Sequence, residues 1–354
     1  MIFGRRKEKE TQALIMAAGY GTRLEPLTTA VPKPMMPIVN KPCMLHNLEL
    51  LKRYGIKRVT CNIHYHPEQI ENYFMDGEKF GVSLSYSYEE KLLGTAGGVK
   101  KMGEGIDRTF IVLSSDALTD INLSKMLAFH KEKGVLATMA LCEVSDVTQF
   151  GVVVLDEKSG RVTAFQEKPK QEEALSRLVN TGIYIFEPEI LDMIPEGKPY
   201  DFGKELFPLL AAEGRALYGY KMLGYWSDVG TIKTYLEANR DAMLGKVGVH
   251  IPGSRISSAN WIGRNSKISK TAEFKGSVLI GDHTVIEDEV EIKNSVIGDR
   301  VVVSRGSKIL DSVIWSDSII LSSSQIKESV VGSWCYIGKG SKVSFSALAN
   351  RTRV

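Results

Sequence analysis

The sequence predicts two parallel-β architectures in succession: an α/β domain built on a mostly parallel sheet, then a parallel β-helix. Three observations predict this. Strand-like and helix-like segments alternate through the first two thirds of the chain. A glycine-rich loop follows the first apolar strand, at the kind of strand end where such sheets hold ligands. From Ile262 onward an aliphatic or aromatic residue returns about every six positions.

The elements run in order. Ala13-Leu14-Ile15-Met16 is a buried strand, and Ala17–Leu24 (AAGYGTRL) is the loop after it. Arg58–Ile63, Ser83–Tyr88, Thr109–Leu113 and Leu136–Leu141 read as strands. Met44–Tyr54, Pro67–Met75 and Leu123–Lys131 read as helices, so the sheet is expected to be covered on both faces. Near Gly245 the pattern changes. At 354 residues the chain holds about two domains. Residues 1–12 read as a solvated tail carrying Arg5-Arg6-Lys7, residues 13–245 as the first domain and residues 246–354 as the second.

The repeat series is Ile262, Ile268, Phe274, Ile280, Ile286, Ile292; then Ile297, Val303, Ile309; then Ile314, Ile320, Ile326; then Val331, Ile337, Val343. None of these fifteen positions is polar, and the steps that shorten to five fall after every third repeat. Four residues after most of them stands a small residue: Ser266, Ala272, Thr284, Ser307, Ser318, Ser324, Cys335, Ser341. Three hexapeptides make one triangular coil, with the large residue inward and the small one packed beneath it. Turns such as Ile262-Gly263, Ile280-Gly281 and Ile297-Gly298 form corners, and about five coils follow.

Composition excludes several function classes. A formal charge of +3 offers no broad nucleic-acid surface. No apolar run approaches the ~18 residues of a membrane span, and no signal-peptide core follows the early arginines. Cys43, Cys61, Cys142 and Cys335 are far apart with no CxxC pair, which fits free thiols in a reducing cytoplasm. His64-Tyr65-His66 lacks a third metal ligand and reads as structural.

The loop carries the chemistry. Gly19 and Gly21 let main-chain N–H groups approach a polyphosphate, and Arg23 and Lys33 supply positive charge just downstream. A third glycine at the dinucleotide-fingerprint spacing is missing, and no Gly-Lys-Ser/Thr follows as in a Walker loop. Gly19-Tyr20-Gly21-Thr22-Arg23-Leu24, Pro26-Leu27-Thr28 and Lys33-Pro34 resemble, in order, the signature of the sugar-1-phosphate nucleotidyltransferases. The resemblance implies a Rossmann-like nucleotidyltransferase domain, with Ala17, Ala18, Gly19, Gly21 and Thr22 on the triphosphate side.

The same resemblance assigns further residues. Asp116, after the strand ending at Leu113, and Asp228, in Trp226-Ser227-Asp228-Val229-Gly230, match the aspartates that hold Mg2+ on substrate phosphates. Ser115 stands where the family often has glycine. Phe165-Gln166-Glu167-Lys168-Pro169 is either a solvated strand end or, as the resemblance implies, the motif whose Lys168 binds the sugar phosphate and whose Glu167 binds sugar hydroxyls. Asn180-Thr181-Gly182 and Phe150-Gly151 resemble sugar-contacting elements, which implicates Asn180, Gly182 and Gly151. Leu92–Gly98 resembles the nucleobase segment, with Gly94 and Thr95 as candidates; a plain helix cap is the other reading of Thr95.

These residues imply attack of a sugar 1-phosphate on the α-phosphorus of a nucleoside triphosphate, with Arg23, Lys33 and Lys168 as the catalytic cations. Segment similarity is greatest to bacterial mannose-1-phosphate guanylyltransferases with a C-terminal left-handed β-helix, which implies GTP and mannose 1-phosphate. Glucose-1-phosphate thymidylyl-, uridylyl- and adenylyltransferases and heptose-phosphate guanylyltransferases share the catalytic set. A regulatory subunit without chemistry should lack one of Arg23, Asp116, Lys168 and Asp228, and all four are present. An acyltransferase on the β-helix would need an imidazole in a groove, and the repeats hold only His283, at a corner. The stacked coils read as an assembly or regulatory module of a homo-oligomer.

Overall fold

A computed structural model describes residues 11–354, so the Arg5-Arg6-Lys7 cluster lies outside the described residues. The chain divides into two compact units. One takes residues up to Gly19, Asn47–Ala117 and Ile121–Gly224; the other takes Tyr20–His46, Leu118–Asp120 and Tyr225–Val354.

The first unit is organised by β1 (Gln12–Met16), an apolar strand buried along its centre. It lies between β2 (Arg58–Ile63) and β4 (Phe110–Ser114), parallel to both. Beyond β2, β3 (Ser83–Tyr88) continues the parallel order. The four parallel strands β1 to β4 need crossovers, and helices α1 (Cys43–Arg53), α2 (Pro67–Phe74) and α3 (Gly94–Met102) stand in the intervening chain. The parallel pattern stops at β8 (Leu178–Phe186), which pairs antiparallel with β4 and with β5 (Ala137–Glu143). β6 (Gly151–Leu155) and β7 (Val162–Glu167) form an antiparallel pair at the edge, and β9 (Leu217–Lys221) is parallel to β5. The sheet is therefore mixed: its parallel order lies in β3-β2-β1-β4 and in β5-β9.

The core of this unit gathers Leu14, Phe110, Val112, Met139, Tyr184, Phe186, Phe202 and Phe207. Phe202 and Phe207 stack 5.2 Å apart, and Tyr184 lies 5.2 Å from each. The Tyr184 hydroxyl accepts from Asn180 Nδ2 at 2.8 Å, and burial pushes the phenol's pKa up. The tyrosine thus fixes a polar side chain above an aromatic core.

The second unit contains the coil. Its strands stack parallel with a register of 18 residues between the first coils (Ile262 with Ile280) and 17 thereafter (Ile280 with Ile297, Ile297 with Ile314, Ile314 with Val331). A second sheet stacks five short strands, from Lys267–Ile268 to Tyr336–Ile337. Ile280, Ile286, Ile292, Ile297, Val303, Ile309, Ile314, Ile320, Ile326, Val331 and Ile337 fill the interior, each at most 1% exposed. Thr284, Ser307, Ser318 and Ser324 are buried beside them, as their spacing predicts. The shortened step falls at a tight corner where Asn294, Asp311, Glu328 and Phe345 all take positive φ.

One face of the coil is apolar on its outside too. Leu279, Val296, Val313, Trp315 and Val330 join Leu24, Leu27, Ile38, Val39, Tyr235 and Ala242 in one buried cluster. Tyr235 and Ala242 belong to α6 (Ile232–Met243), which follows α4 (Leu123–Lys133) and α5 (Phe207–Ala212) in the chain and whose N-cap is Thr231 in a capping box with Thr234.

Candidate functional site

In the first unit, the loop residue Ala17 donates its N–H to Asn62 Oδ1 at 2.7 Å. Asn62 Nδ2 donates to Glu89 Oε1 at 2.6 Å, and Glu89 Oε2 accepts from Leu93 N at 2.8 Å. Asn62 and Glu89 are each 4% exposed. A buried carboxylate is costly unless it is hydrogen-bonded, and here each oxygen takes one N–H. The chain of bonds ties the start of the Ala17–Gly19 turn to the start of the Gly94–Gly98 segment. Gly98 is required beside it: a Cβ there would stand 2.6 Å from both Asn62 Nδ2 and Glu89 Oε1. Asn62 and Glu89 were not singled out from the sequence; their one signal is that polar residues stand at the ends of two adjacent parallel strands, β2 and β3.

Gly94 and Thr95 open α3. Gly94 has φ +73°, and a Cβ on it would meet Tyr200 O at 2.6 Å. The Tyr200 carbonyl accepts from Ala96 N and Gly97 N, both at 3.0 Å. Thr95 does not cap the helix; Leu93 is the N-cap. Its hydroxyl donates to Asp201 Oδ2 at 2.8 Å and accepts from Phe202 N at 2.9 Å. Small residues here let the Tyr200–Phe202 chain close on the helix start, a long-range reason that spacing could not reveal.

Glu167 and Lys168 lie at the end of β7. Gly151 is register-paired with Glu167, and Cβ atoms on Gly151 and Gly203 would come within 3.2 and 2.6 Å of Glu167 Oε2. Lys168 turns out of the strand with φ 46° while its N–H donates to Phe150 O at 3.0 Å. That conformation is uncommon outside glycine and concentrates at functional positions. Its side chain is 55% exposed and pairs with Glu167 at 3.5 Å. Asn180 Oδ1 accepts from Gly182 N at 3.0 Å, and a Cβ on Gly182 would touch Ser114 Cβ at 3.0 Å. Asp116 follows β4 and accepts from the Ser114 hydroxyl. Ser115 N donates to Met16 O at 3.0 Å, so the segment before Asp116 is fastened to the end of β1.

In the second unit, Gly21 has φ +73°, and its carbonyl accepts from the Thr28 hydroxyl at 2.9 Å. Thr22–Leu24 is a short 3-10 turn that presents Arg23. Arg23 Nη2 lies 3.4 Å from Asp228 Oδ2, and Lys33 Nζ lies 3.5 Å from Asp228 Oδ1. Asp228 thus stands between two cations. Gly230 makes room for the Asp228–Arg23 pair, since a Cβ there would stand 2.7 Å from Asp228 Oδ2 and 3.0 Å from Arg23 Nη2. Both ion pairs are longer than the ~2.7–2.9 Å of a strong charge-assisted bond. Arg23 is 45% exposed, so its charge can be redirected to an incoming phosphate with little loss.

The sequence-derived residues therefore fall into two sets: Ala17–Gly19, Gly94, Thr95, Asp116, Gly151, Glu167, Lys168, Asn180 and Gly182 in the first unit, and Gly21, Thr22, Arg23, Lys33 and Asp228 in the second.

Comparison with known proteins agrees with this chemistry. The nucleotidyl transferase family matches residues 12–243, and the left-handed β-helix (LbH) domain of the EIF2B epsilon subunit matches residues 251–354. A UTP–glucose-1-phosphate uridylyltransferase of Synechocystis is 42% identical over 84% of this chain and 81% of its own length. Mannose-1-phosphate guanylyltransferase 1 of Arabidopsis thaliana is 36% identical over 84% of this chain and 82% of its own. Two solved structures share the fold: UDP-glucose pyrophosphorylase with UDP-glucose (TM-score 0.59, 24% identity, 67% of this chain, 100% of that one) and HddC of Yersinia pseudotuberculosis with GMP-PN (TM-score 0.57, 24% identity, 66% and 99%). With its nucleotidyl transferase domain and its left-handed β-helix, the chain belongs to the sugar-1-phosphate nucleotidyltransferase family.

Proposed function

We propose that the protein makes GDP-mannose from GTP and mannose 1-phosphate. An oxygen of the sugar phosphate attacks the α-phosphorus. One P–O bond forms, the bond to the bridging oxygen of the β-phosphate breaks, and pyrophosphate leaves. The nucleophile is anionic near pH 7, so no protein base is required; the enzyme must orient two polyanions and offset their repulsion. The observation that carries the nucleotidyl-transfer reading is Asp228 held between Arg23 and Lys33, and the 36% identity to a mannose-1-phosphate guanylyltransferase supports GTP and mannose 1-phosphate as its substrates.

Each residue then has a task. The Ala17–Gly21 main chain and Thr22 receive the triphosphate. Arg23 neutralises the departing pyrophosphate, and Lys33 joins it on the phosphates. Lys168 holds the sugar phosphate in line, while Glu167, Asn180, Gly151 and Gly182 bound the sugar. Gly94 and Thr95 bound the base.

Asp116 and Asp228 are the residues that would hold Mg2+. Both offer only hard carboxylate oxygen, with no nitrogen or sulfur ligand in the pair. That donor set suits Mg2+, which keeps waters and takes phosphate oxygens as its other ligands. When bound, the ion would supply further charge neutralisation on the phosphates.

The Synechocystis relative favours a second reading, UTP with glucose 1-phosphate. A matrix of nucleoside triphosphates against sugar 1-phosphates with Mg2+, assayed for pyrophosphate, tests both. The expected result is the highest kcat/KM for GTP with mannose 1-phosphate. A maximum at UTP with glucose 1-phosphate adopts the second reading, and no turnover with any pair makes the chain a regulatory subunit.

Among the described residues all four cysteines are free, and no helix is long and apolar enough to cross a membrane. The free cysteines support the proposed cytoplasmic setting, and light scattering of the intact protein checks the proposed homo-oligomer.

A further inference from the structure

Lys33 enters a tight hairpin that is fastened to the β-helix. Met36 N donates to Lys33 O at 3.2 Å, and Pro37–Ile38 then pairs antiparallel with Lys41–Pro42. The two-residue tip is Val39 (φ 43°) and Asn40 (φ 62°). Asparagine tolerates the left-handed region, but a β-branched residue there is an outlier that persists only when its surroundings impose it.

The surroundings are specific. Val39 is fully buried, and its N–H donates to Asn239 Oδ1 at 2.8 Å. Asn40 Nδ2 donates to the carbonyl of Ile297 in the coil at 2.8 Å. Pro37 O accepts from the Tyr235 hydroxyl at 2.6 Å, and that hydroxyl accepts from Trp315 Nε1 of the coil at 2.8 Å. An indole nitrogen can only donate. It therefore occupies the tyrosine oxygen as acceptor and leaves the phenolic proton for Pro37. Burial pushes the Tyr235 phenol's pKa up, so that proton stays in place.

The same helix reaches the other side of the ion pair. Tyr235 N donates to Thr231 O at 2.9 Å, and Gly230 N donates to Thr234 Oγ1 at 3.2 Å. Gly230 abuts Asp228 and Arg23. One turn of α6 thus holds both the Asp228 segment and the hairpin behind Lys33, and Trp315 orients the tyrosine that does so.

We propose that Trp315, Tyr235 and Asn40 are positioning residues through which the β-helix sets Lys33 against Asp228, so that the coil is part of the catalytic apparatus. This rests on the nucleotidyl-transfer reading above. The test uses full-length Trp315→Phe, Tyr235→Phe and Asn40→Gly. Asn40→Gly removes the bond to Ile297 while easing the left-handed backbone, so it folds even if the buried variants do not. Trp334→Phe, an exposed indole elsewhere on the coil, is the control. Pyrophosphate release gives kcat and KM, and thermal melting reports folding.

The expected result is about a ten-fold fall in kcat with little change in KM for either substrate, because a small misplacement of a charge affects the reacting geometry most. In a Lys33→Ala background the same changes cost almost nothing further, since the residue they position is gone. Wild-type kcat in folded Asn40→Gly and Trp315→Phe overturns the proposal, and so does a full additional loss in the Lys33→Ala background. A wild-type enzyme inactive with every substrate pair overturns the functional reading itself, an outcome distinct from either.

Discussion

Parallel strands build both the open sheet and the coil, yet they treat their strand ends in opposite ways. In the sheet, β1, β3 and β4 run into segments that differ from one another: the Ala17–Gly19 turn, the chain leading to α3, and Ser115-Asp116. In the coil, strand ends of successive turns meet the equivalent corner of the next turn. Gly281 N donates to Ile297 O at 2.8 Å, Gly298 N to Ile314 O at 2.7 Å, and Gly332 N to Leu348 O at 2.9 Å. Periodicity consumes these corner groups in neighbour contacts, and where one accepts a second bond, as Ile297 O does from Asn40 Nδ2, it anchors a segment outside the coil. The sheet leaves its strand ends unlike one another, and the proposed chemistry uses them.

The largest effect should come from the aperiodic segments. Arg23→Ala and Lys168→Ala should each lower kcat on the order of 10²–10³-fold if each stabilises charge as one oxyanion donor does. Pyrophosphate release measures this, and near wild-type turnover in either variant breaks the contrast. The matched change in the coil, Arg300→Ala, removes an exposed pair with Asp317 at 2.6 Å and should leave kcat intact.

The interior of the coil should instead answer in stability. Ile309 is fully buried between Ile292 and Ile326, and Ile309→Ala should cost about 2–5 kcal/mol by lost burial and a cavity, read from denaturant midpoints. Ser312→Ala should cost about 1–3 kcal/mol, because Ser329 N loses its acceptor at 3.1 Å in a buried place.

The smallest effect is a pH dependence in the first unit. Burial holds the His130 pKa below its ordinary 6.5, outweighing the opposing pull of Glu187. Below pH 6.5 the unfolded chain takes up a proton that the folded chain refuses, so stability falls as pH drops from 6.5 toward the lower folded value. His130→Asn should flatten the midpoint-against-pH curve in that window, and an unchanged slope removes His130 from the account.

How much of this was readable beforehand depends on the range of the cause. The coil interior follows from a local period, and Ile280, Ile297 and Ile314 stand where the six-residue spacing puts them. β2 and β3 match their predicted bounds for the same reason. The outer apolar face was also written in the sequence, as paired apolar residues in Leu279-Ile280, Val296-Ile297, Val313-Ile314 and Val330-Val331, but the inward period overshadowed it. The bonds around Glu89, the Thr95–Asp201 contact and the placing of Arg23 with Asp228 join residues 27, 106 and 205 positions apart. No local pattern encodes a partner that distant. The grouping of Tyr20–His46 with the coil escapes a linear reading for the same reason.

The buried serines of the coil carry a consequence for how such a chain can change in length. Ser312 N donates to Ser295 Oγ, Ser329 N to Ser312 Oγ and Ser346 N to Ser329 Oγ, each spanning 17 residues. Each hydroxyl in turn donates to a carbonyl two residues before it, as Ser312 does to Leu310. The ladder therefore counts in whole coils. Excising 17 residues, one of these serines together with the chain up to the next, rejoins donor to acceptor and keeps Ile on Ile. Excising 16 places a bulky side chain where a hydroxyl was and exposes an isoleucine. Gain and loss of chain in this half of the molecule is thereby quantised, and the permitted unit is one full turn of the coil.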